Sequence, residues 1–209
     1  MALLNPPPGF GLRQPVFRTL PVGARLVRIY DPTQHNTHSL TFVQYGPRNR
    51  FDHHRPSPSG SSVWNDPDRG IYYAAKEFSC CIAEIFGDTR QIDRPHLRVA
   101  TPTVTRKLRL LDLRGAAAMG AGSIAALSGD GDRTLTQAWS RYFYEEPSLS
   151  NCDGLIYRGA HNAEVAYALY ERARDGLACS PADVCELNEP WLRPELMRIA
   201  LQHGMDILF

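Results

Sequence analysis

The chain has 209 residues, of which 43% are hydrophobic and 22% charged, and its formal net charge is +1. This length and composition suit one large globular domain or two small ones. So small a net charge provides no general attraction to nucleic acid or to an anionic membrane surface, and composition supports neither partner class.

Targeting and redox signals favour a cytoplasmic protein. No apolar run approaches the roughly 20 residues that a helix needs to span a bilayer. The N-terminal segment MALLNPPPGFGLRQP has prolines where a secretion signal needs a continuous apolar stretch. The cysteines are odd in number and form no CxxC pair, so we expect reduced thiols without a disulfide framework or a zinc site. They are Cys80, Cys81, Cys152, Cys179 and Cys185.

The first third of the chain predicts little regular structure. Proline and glycine are frequent up to about residue 20, and we expect this segment to lie across the surface of the domain. The alternation in ARLVRIY (24–30) predicts a first strand. Residues 31–70 hold few apolar side chains and predict a long loop region with one short strand at LTFVQY. A loop of that length in a compact domain is usually functional or disordered.

The next segments alternate between strand and helix patterns. GIYYAA predicts a strand, and KEFSCCIAEIFGD (76–88) predicts a helix that Gly87 ends. LRVATPTV, KLRLLDL and CDGLIYRG predict further strands. TLTQAWSRYFYE and AEVAYALYERAR predict helices, GAAAMGAGSIAAL is weakly helical, and PELMRIALQHGMDILF predicts a helix and a terminal strand. Because no repeat or linker divides the chain, one α+β domain is the economical interpretation.

Glu84 lies on the predicted helix but outside its apolar stripe. The stripe centres near Phe78, Ile82 and Ile85, and at about 100° per residue Glu84 points roughly 120° away from it. Taken alone, such a carboxylate is usually a solvated surface residue. Tyr73 lies on the preceding strand. Taken alone, an aromatic residue on a strand is usually there for packing.

Three arginines are candidates for binding phosphate. Arg28 interrupts a strand that is otherwise suited to burial, and Arg48 and Arg50 lie in the polar segment GPRNRFD. A guanidinium group matches the geometry of a phosphate through two parallel hydrogen bonds. The competing interpretation of Arg28 is an edge-strand residue with its head in water.

Other kinds of chemistry find little support. The sequence contains no phosphate-binding GxGxxG or GxxxxGK loop and no GxSxG nucleophile motif. Adjacent Cys80 and Cys81 on a helix are typical of small core residues. Four histidines match no closed metal site, and we expect no metal: His35, His38, His53 and His54.

The order of these motifs resembles the RES domain family, the toxins of RES-Xre type toxin–antitoxin systems. That family carries an Arg in its first strand, an Arg-aromatic pair after a polar loop, and a Tyr-Ala-Ala leading into a helix. The helix carries a Glu eleven residues after the Tyr. The residues of this chain that match are Arg28, Arg50 with Phe51, Tyr73 and Glu84, and the resemblance covers roughly residues 19–175.

One position departs from the family pattern. Gly159, in DGLIYRGAHN, stands where the family usually has the serine of its name. A hydrogen bond from His161 or Asn162 could replace the missing hydroxyl. The backbone N–H of Gly159 could also approach a ligand closely, because glycine has no side chain in the way. The sequence leaves these alternatives open.

The resemblance implies a fold and a division of the chain. RES proteins are similar to ADP-ribosyltransferases, so we expect a single α+β domain. It would have a split mixed β-sheet around an NAD cleft, flanked by helices. Residues 1–18 would form an N-terminal extension and residues 19–209 the RES domain.

The resemblance also implies a reaction that consumes NAD+. Departure of nicotinamide builds positive charge on the ribose, which the Glu84 carboxylate would stabilise. Arg28 and Arg50 would hold the pyrophosphate, and Tyr73 would pack against the nicotinamide or its ribose. Gly159 and His161 would complete the binding site. Water, phosphate and a protein all stay open as the acceptor, so the reaction is hydrolysis, phosphorolysis or ADP-ribosyl transfer.

The resemblance thus implies a toxin enzyme with an Xre-type antitoxin as its partner. Two other functions stay open. The first is a catalytically impaired, nucleotide-binding RES module, because the family serine is replaced by Gly159. The second is a nucleic-acid-binding protein that uses RNRFDHHR, which is weak because the basic patch is short. The oligomeric state is not indicated.

Overall fold

A computed structural model describes residues 5–8 and 14–209. Its elements mix short strands with four-turn or shorter helices, as the sequence predicts. The helices are α1 (Phe78–Phe86), α2 (Ala116–Gly120), α3 (Arg133–Glu145) and α4 (Arg193–His203). The strands are β1 (Phe17–Leu20), β2 (Arg28–Tyr30), β3 (Tyr45–Gly46), β4 (Trp64–Asn65), β5 (Ile71–Ala75), β6 (Gln91–Ile92), β7 (Arg98–Ala100), β8 (Thr103–Val104), β9 (Leu108–Asp112), β10 (Gly154–Arg158), β11 (Val165–Tyr170), β12 (Leu177–Ala178), β13 (Val184–Glu186) and β14 (Asp206–Ile207).

The largest sheet has five strands in the order β1-β9-β10-β11-β5. Strands β9 and β10 are parallel and the other neighbours are antiparallel, so the sheet is mixed. Both faces of β5 are covered. Ile71, Tyr73 and Ala75 contact one hydrophobic cluster, and Tyr72 and Ala74 contact the other. This alternation is the period of two that a strand imposes on its side chains.

A second sheet of three strands, in the order β13-β7-β2, lies against the edge of the first. Val27 and Ala75 exchange backbone hydrogen bonds of 2.9 and 2.8 Å, which joins the chain before β2 to β5. The architecture is therefore α+β with a divided sheet, which confirms the predicted fold class.

Helix α1 covers this junction. Ile82 and Phe86 are fully buried and pack with Leu196 and Ile199 of α4. Gly87 ends α1 as predicted, although its backbone is right-handed helical (φ −60°, ψ −34°) and needs no glycine. Within the described ranges, no helix is long and apolar enough to cross a membrane.

The prediction for the N-terminal segment is partly wrong. Residues 17–20 form β1, an edge strand whose Arg18 and Thr19 are exposed, so 24–30 does not supply the first strand as predicted. The proposed boundary between residues 18 and 19 falls inside β1. Trp139 of α3 donates a hydrogen bond to the carbonyl of Asn5 at 2.8 Å, which ties the preceding chain to that helix. Residues 1–4 and 9–13 of the predicted extension lie outside the described residues.

The segment AEVAYALYERAR is not the predicted helix. Its first half is β11, which pairs with β10 on one side and β5 on the other. Its second half is a 3₁₀ segment, Glu171–Gly176. Ala168 and Tyr170 contact one cluster while Tyr167 and Leu169 contact the other, so both faces are apolar. A continuous apolar run has no period that separates strand from helix, and the alanines favoured helix.

Candidate functional site

A cavity of about 580 Å³ lies where α1, β5, β10 and the start of α3 meet. Its volume is within the roughly 300–1,000 Å³ that is usual for small-molecule sites. Its wall combines aromatic rings with acidic and basic groups. Charged or hydrogen-bonding side chains that line it include Arg50, Tyr73, Glu84, Asp88, Arg133, Tyr157 and His161.

Glu84 faces this cavity rather than the core. Its neighbours Ile82, Ala83 and Phe86 are buried, whereas 26% of the Glu84 side chain is exposed. Its Oε1 accepts a hydrogen bond from the backbone N–H of His161 at 3.2 Å. No described residue donates a hydrogen bond to Oε2. The carboxylate therefore keeps one oxygen for a ligand.

His161 links Glu84 to a second carboxylate. Its Nδ1 lies 3.3 Å from Oε1 of Glu84, and its Nε2 lies 3.0 Å from Oδ1 of Asp88. Only the imidazolium can donate from both nitrogens. Partial burial opposes the charged ring, but the hydrogen bonds with Asp88 and Glu84 outweigh it and raise the pKa of His161. The same bond lowers the pKa of Asp88.

Two glycines provide the space for this arrangement. A Cβ on Gly159 would lie 2.9 Å from Oε1 of Glu84 and 3.2 Å from Sγ of Cys80. A Cβ on Gly87 would overlap the ring of His161. Neither glycine has a positive φ, so each is needed for its small size rather than its conformational freedom.

The structure separates the alternatives for the missing serine. The N–H of Gly159 donates to the carbonyl of Glu164 at 2.8 Å and is committed to the β10–β11 connection. The amide of Asn162 contacts His203 and the backbone N–H of Glu164. Among these three residues, His161 is the one with a side chain that contacts Glu84.

Tyr73 contributes its ring to the cavity, because its hydroxyl is already bonded. The hydroxyl donates to Oδ1 of Asp52 at 2.8 Å and accepts the N–H of Phe51 at 2.9 Å. Burial, with the Asp52 carboxylate beside it, raises the pKa of Tyr73 well above 10. The ring is thus fixed and neutral.

The turn that carries Arg50 is held by Asp52, which is 1% exposed. Oδ2 of Asp52 accepts the backbone N–H groups of Arg48 and Asn49 at 2.6 and 2.9 Å. Helix α3 holds the other side of the turn, since Ser140 donates to the carbonyl of Phe51 at 2.7 Å. Arg50 lines the cavity and Arg48 does not.

Arg28 is not among the residues that line the cavity in the described part of the chain. Ile29 lines it, and the adjacent Arg28 lies on the opposite face of β2. Its guanidinium lies 4.2 Å from the centre of the Tyr72 ring and donates to the carbonyl of Thr41 at 2.7 Å. Arg28 is 6% exposed, so its head is not in water, and burial lowers its pKa.

Sequence reasoning missed three charged residues of this site. Asp88 follows Glu84 by four residues, a spacing that places both on one helical face. Asp52 follows the Arg-aromatic pair directly. Arg133 begins α3 and gave no signal of its own, because only the tertiary fold brings it to the cavity.

Comparison with known proteins agrees with this architecture. The family model described as the RES domain matches residues 25–191. A chain in the crystal structure of the M. tuberculosis MbcT-MbcA toxin-antitoxin complex superposes with a TM-score of 0.57 at 18% identity. The match covers 86% of this chain and 92% of that one. At this identity the likeness shows the fold. No curated protein sequence matches.

Proposed function

The chain belongs to the RES domain family, whose model matches residues 25–191, and on this premise we propose that it consumes NAD+ by cleaving the nicotinamide–ribose bond. One observation carries the proposal: the Glu84 carboxylate shares the wall of a ligand-sized cavity with Arg50, Arg133 and two tyrosine rings. NAD+ combines an anionic pyrophosphate, aromatic bases and a ribose that becomes cationic, and the cavity has a counterpart for each.

Glu84 is the proposed catalytic residue. Departure of nicotinamide leaves positive charge on the ribose, and a nearby carboxylate in a partly enclosed site stabilises that charge. Oε1 is held by His161, and no described residue donates a hydrogen bond to Oε2. A fixed carboxylate needs no reorganisation during the reaction, which is the source of its catalytic effect.

The arginines are proposed to bind the pyrophosphate. Arg50 lines the cavity from a turn that Asp52 and α3 hold in place, and its Nε donates to the carbonyl of Asp130 at 3.3 Å. Part of its conformational freedom is therefore lost before a ligand binds. Arg133 adds a second guanidinium at the start of α3. Arg28 also remains proposed to bind the pyrophosphate, because no described carboxylate neutralises its buried charge. To reach the cavity it would have to leave the carbonyl of Thr41.

The tyrosine rings are proposed to contact the nicotinamide or its ribose. Tyr73 and Tyr157 line the same cavity, and both have their pKa raised well above 10 by burial. Neutral rings with fixed orientation provide flat apolar area for an aromatic base.

A binding module without turnover is the second candidate. It is favoured by one observation: the space of the family serine is taken up by Glu84, against which Gly159 lies. In that case NAD+ would bind the cavity and raise the melting temperature, yet remain intact during long incubation at high protein concentration.

We further propose that the protein is a toxin that acts in the cytoplasm and is blocked by an Xre-type antitoxin. The structural relative MbcT is solved as a toxin-antitoxin complex with MbcA. Expression of this chain alone would then deplete cellular NAD+ and arrest growth, and expression of Glu84→Gln would do neither.

The experiment that tests the reaction is incubation of the purified chain with NAD+, with and without inorganic phosphate, followed by mass analysis. Free nicotinamide with ADP-ribose indicates hydrolysis. A phosphate-dependent ADP-ribose phosphate indicates phosphorolysis, and a mass increase on a protein indicates transfer. Intact NAD+ under all conditions, with a raised melting temperature, would support the binding module instead.

A further inference from the structure

The imidazole of His161 lies between two carboxylates that belong to one end of α1. Glu84 is on the last turn of the helix and Asp88 follows its end. The ring nitrogens lie 3.3 and 3.0 Å from the two carboxylates, and the backbone N–H of His161 adds a third contact at 3.2 Å. A cation at a helix C-terminus also complements the negative end of the helix dipole.

This contact depends on small residues on both sides. Gly87 lets the ring lie over the helix end, and Gly159 lets the Glu84 carboxylate lie against the β10–β11 connection. A Cβ on Gly87 would overlap the His161 ring, and a Cβ on Gly159 would displace the tip of the Glu84 side chain. The histidine, the two glycines and the two carboxylates therefore form one arrangement.

We propose that His161, as the imidazolium, is the positioning residue for Glu84 in this chain. This rests on the proposed function, because Glu84 is the group it positions. Asp88 acts through His161: it holds the ring from the far side and favours its charged form. His161 itself takes no part in bond making or breaking.

A positioning role that requires a charged ring makes activity depend on pH. Below the pKa of His161 both nitrogens donate, and Glu84 is held. Above it one of the two ring donors is lost. Either Glu84 keeps only the backbone N–H of His161, or the ring loses its hydrogen bond to Asp88, and in both cases Glu84 is held less firmly. The charged and titratable groups around the ring that bear on this titration are Glu84 and Asp88 beside it, Arg50 and Arg133 across the cavity, and the neutral Tyr157 and Cys80 on its wall.

The test is a set of pH profiles of kcat and KM for NAD+. Wild type should lose kcat at alkaline pH. His161→Ala should lower kcat by about tenfold with KM nearly unchanged, because the contact matters more in the transition state. His161→Gln, which keeps a donor that does not titrate, should recover part of kcat and lose the alkaline limb. Asp88→Asn should move the limb to lower pH.

A stability measurement on Asp88→Asn and a control variant, His96→Gln, separate this role from a structural one. Asp88 has an 89% exposed side chain, so Asp88→Asn should fold normally, with an unchanged melting temperature. His96→Gln removes another histidine that faces an aspartate, Asp31 at 3.5 Å, and should leave the profile unchanged. An alkaline limb that stays in place in Asp88→Asn would overturn the proposal.

A second readout does not need turnover. An NMR titration of the His161 ring should give a pKa that falls in both Asp88→Asn and Glu84→Gln. If NAD+ is never consumed, the proposed function fails while this titration still decides whether His161 is coupled to the two carboxylates. An unchanged pKa of His161 in both variants would overturn the inference by itself.

Discussion

Gly159 lies against the Glu84 carboxylate, at the position where the RES family usually has a serine. The absence of a side chain there has a steric consequence as well as a chemical one. Glu84 uses the space, and His161 holds it there. Restoring the family residue would therefore introduce a hydroxyl and, in the same step, displace the carboxylate.

Gly159→Ser is expected to lower NAD+ consumption rather than improve it. Its Cβ would lie 2.9 Å from Oε1 of Glu84 and 3.2 Å from the buried Sγ of Cys80, so the carboxylate must move. A misplaced catalytic group of this kind costs on the order of 10²-fold in rate. Steady-state rates of wild type, Gly159→Ser and Gly159→Ala measure the effect.

The alanine variant identifies the cause. Both variants add a Cβ, so both should be impaired to a similar degree. Activity above wild type in Gly159→Ser, together with none in Gly159→Ala, would show that the hydroxyl is what this site lacks. That result would support the impaired binding module.

At the scale of elements, the turn at residues 48–52 is hydrogen-bonded to both β5 and α3, and it places Arg50 at the wall of the cavity. Asp52 and Ser140 bond to backbone groups of the turn, and Tyr73 bonds to the carboxylate of Asp52. The shape of the turn is therefore set by these three residues more than by Arg50 itself. This explains how a segment predicted as an irregular loop can present a binding group with defined geometry.

Asp52→Asn is expected to loosen this turn. The carboxylate accepts three donors, and an amide presents an NH₂ to at least one of them, so a buried donor is left unpaired. The expected loss of stability is about 1–3 kcal/mol. Because Arg50 is released, KM for NAD+ should rise more than kcat falls. Chemical denaturation and steady-state kinetics measure the two effects.

Asp93→Asn is the matched control for this change. Asp93 has a half-exposed side chain that faces Arg94 at 3.7 Å, and it is not among the described residues that line the cavity. It should leave stability and kinetics as in wild type. Normal KM and stability in Asp52→Asn would contradict the role given to the turn.

At the scale of the whole molecule, Glu171 ties the long segment before β5 to the end of the main sheet. Its Oε2 lies 2.9 Å from Nε2 of His53 and accepts the N–H of Gly70 at 3.1 Å. Its Oε1 accepts the hydroxyl of Tyr144 on α3 at 2.6 Å. Burial opposes the charge, but the bonds from His53 and Tyr144 outweigh it and lower the pKa of Glu171 to about 2.

This network predicts a stability that depends on pH. Since the folded state binds the Glu171 proton more weakly than the unfolded chain, its contribution is complete above the ordinary pKa of 4.5. It is lost as the pH falls through about 2. Glu171→Gln should therefore be less stable than wild type at pH 7, by about 1–3 kcal/mol. Urea unfolding should show that gap shrinking below pH 4.5, and a gap that is constant with pH would contradict the assignment.

Sequence reasoning reached the α+β class, the strands β2, β5, β7, β9 and β10, and the helices α1, α3 and α4, because these have clear periods and stops. It also selected Tyr73, Glu84, Arg50 and His161, all of which line one cavity. It did not predict β11, since a strand with two buried faces has no polar alternation to identify it. Nor could it place Arg28, because the face of a strand that meets a cavity is set by the neighbouring sheet.

The central claim is that Glu84 is the catalytic carboxylate of an NAD+-consuming enzyme. The measurement that tests it most directly is NAD+ consumption by wild type and Glu84→Gln at equal concentration, with the melting temperature of each recorded with and without NAD+. We expect Glu84→Gln to fold, to be stabilised by NAD+ and to lose at least about 10²-fold in rate. A Glu84→Gln protein that consumes NAD+ as fast as wild type would contradict the claim.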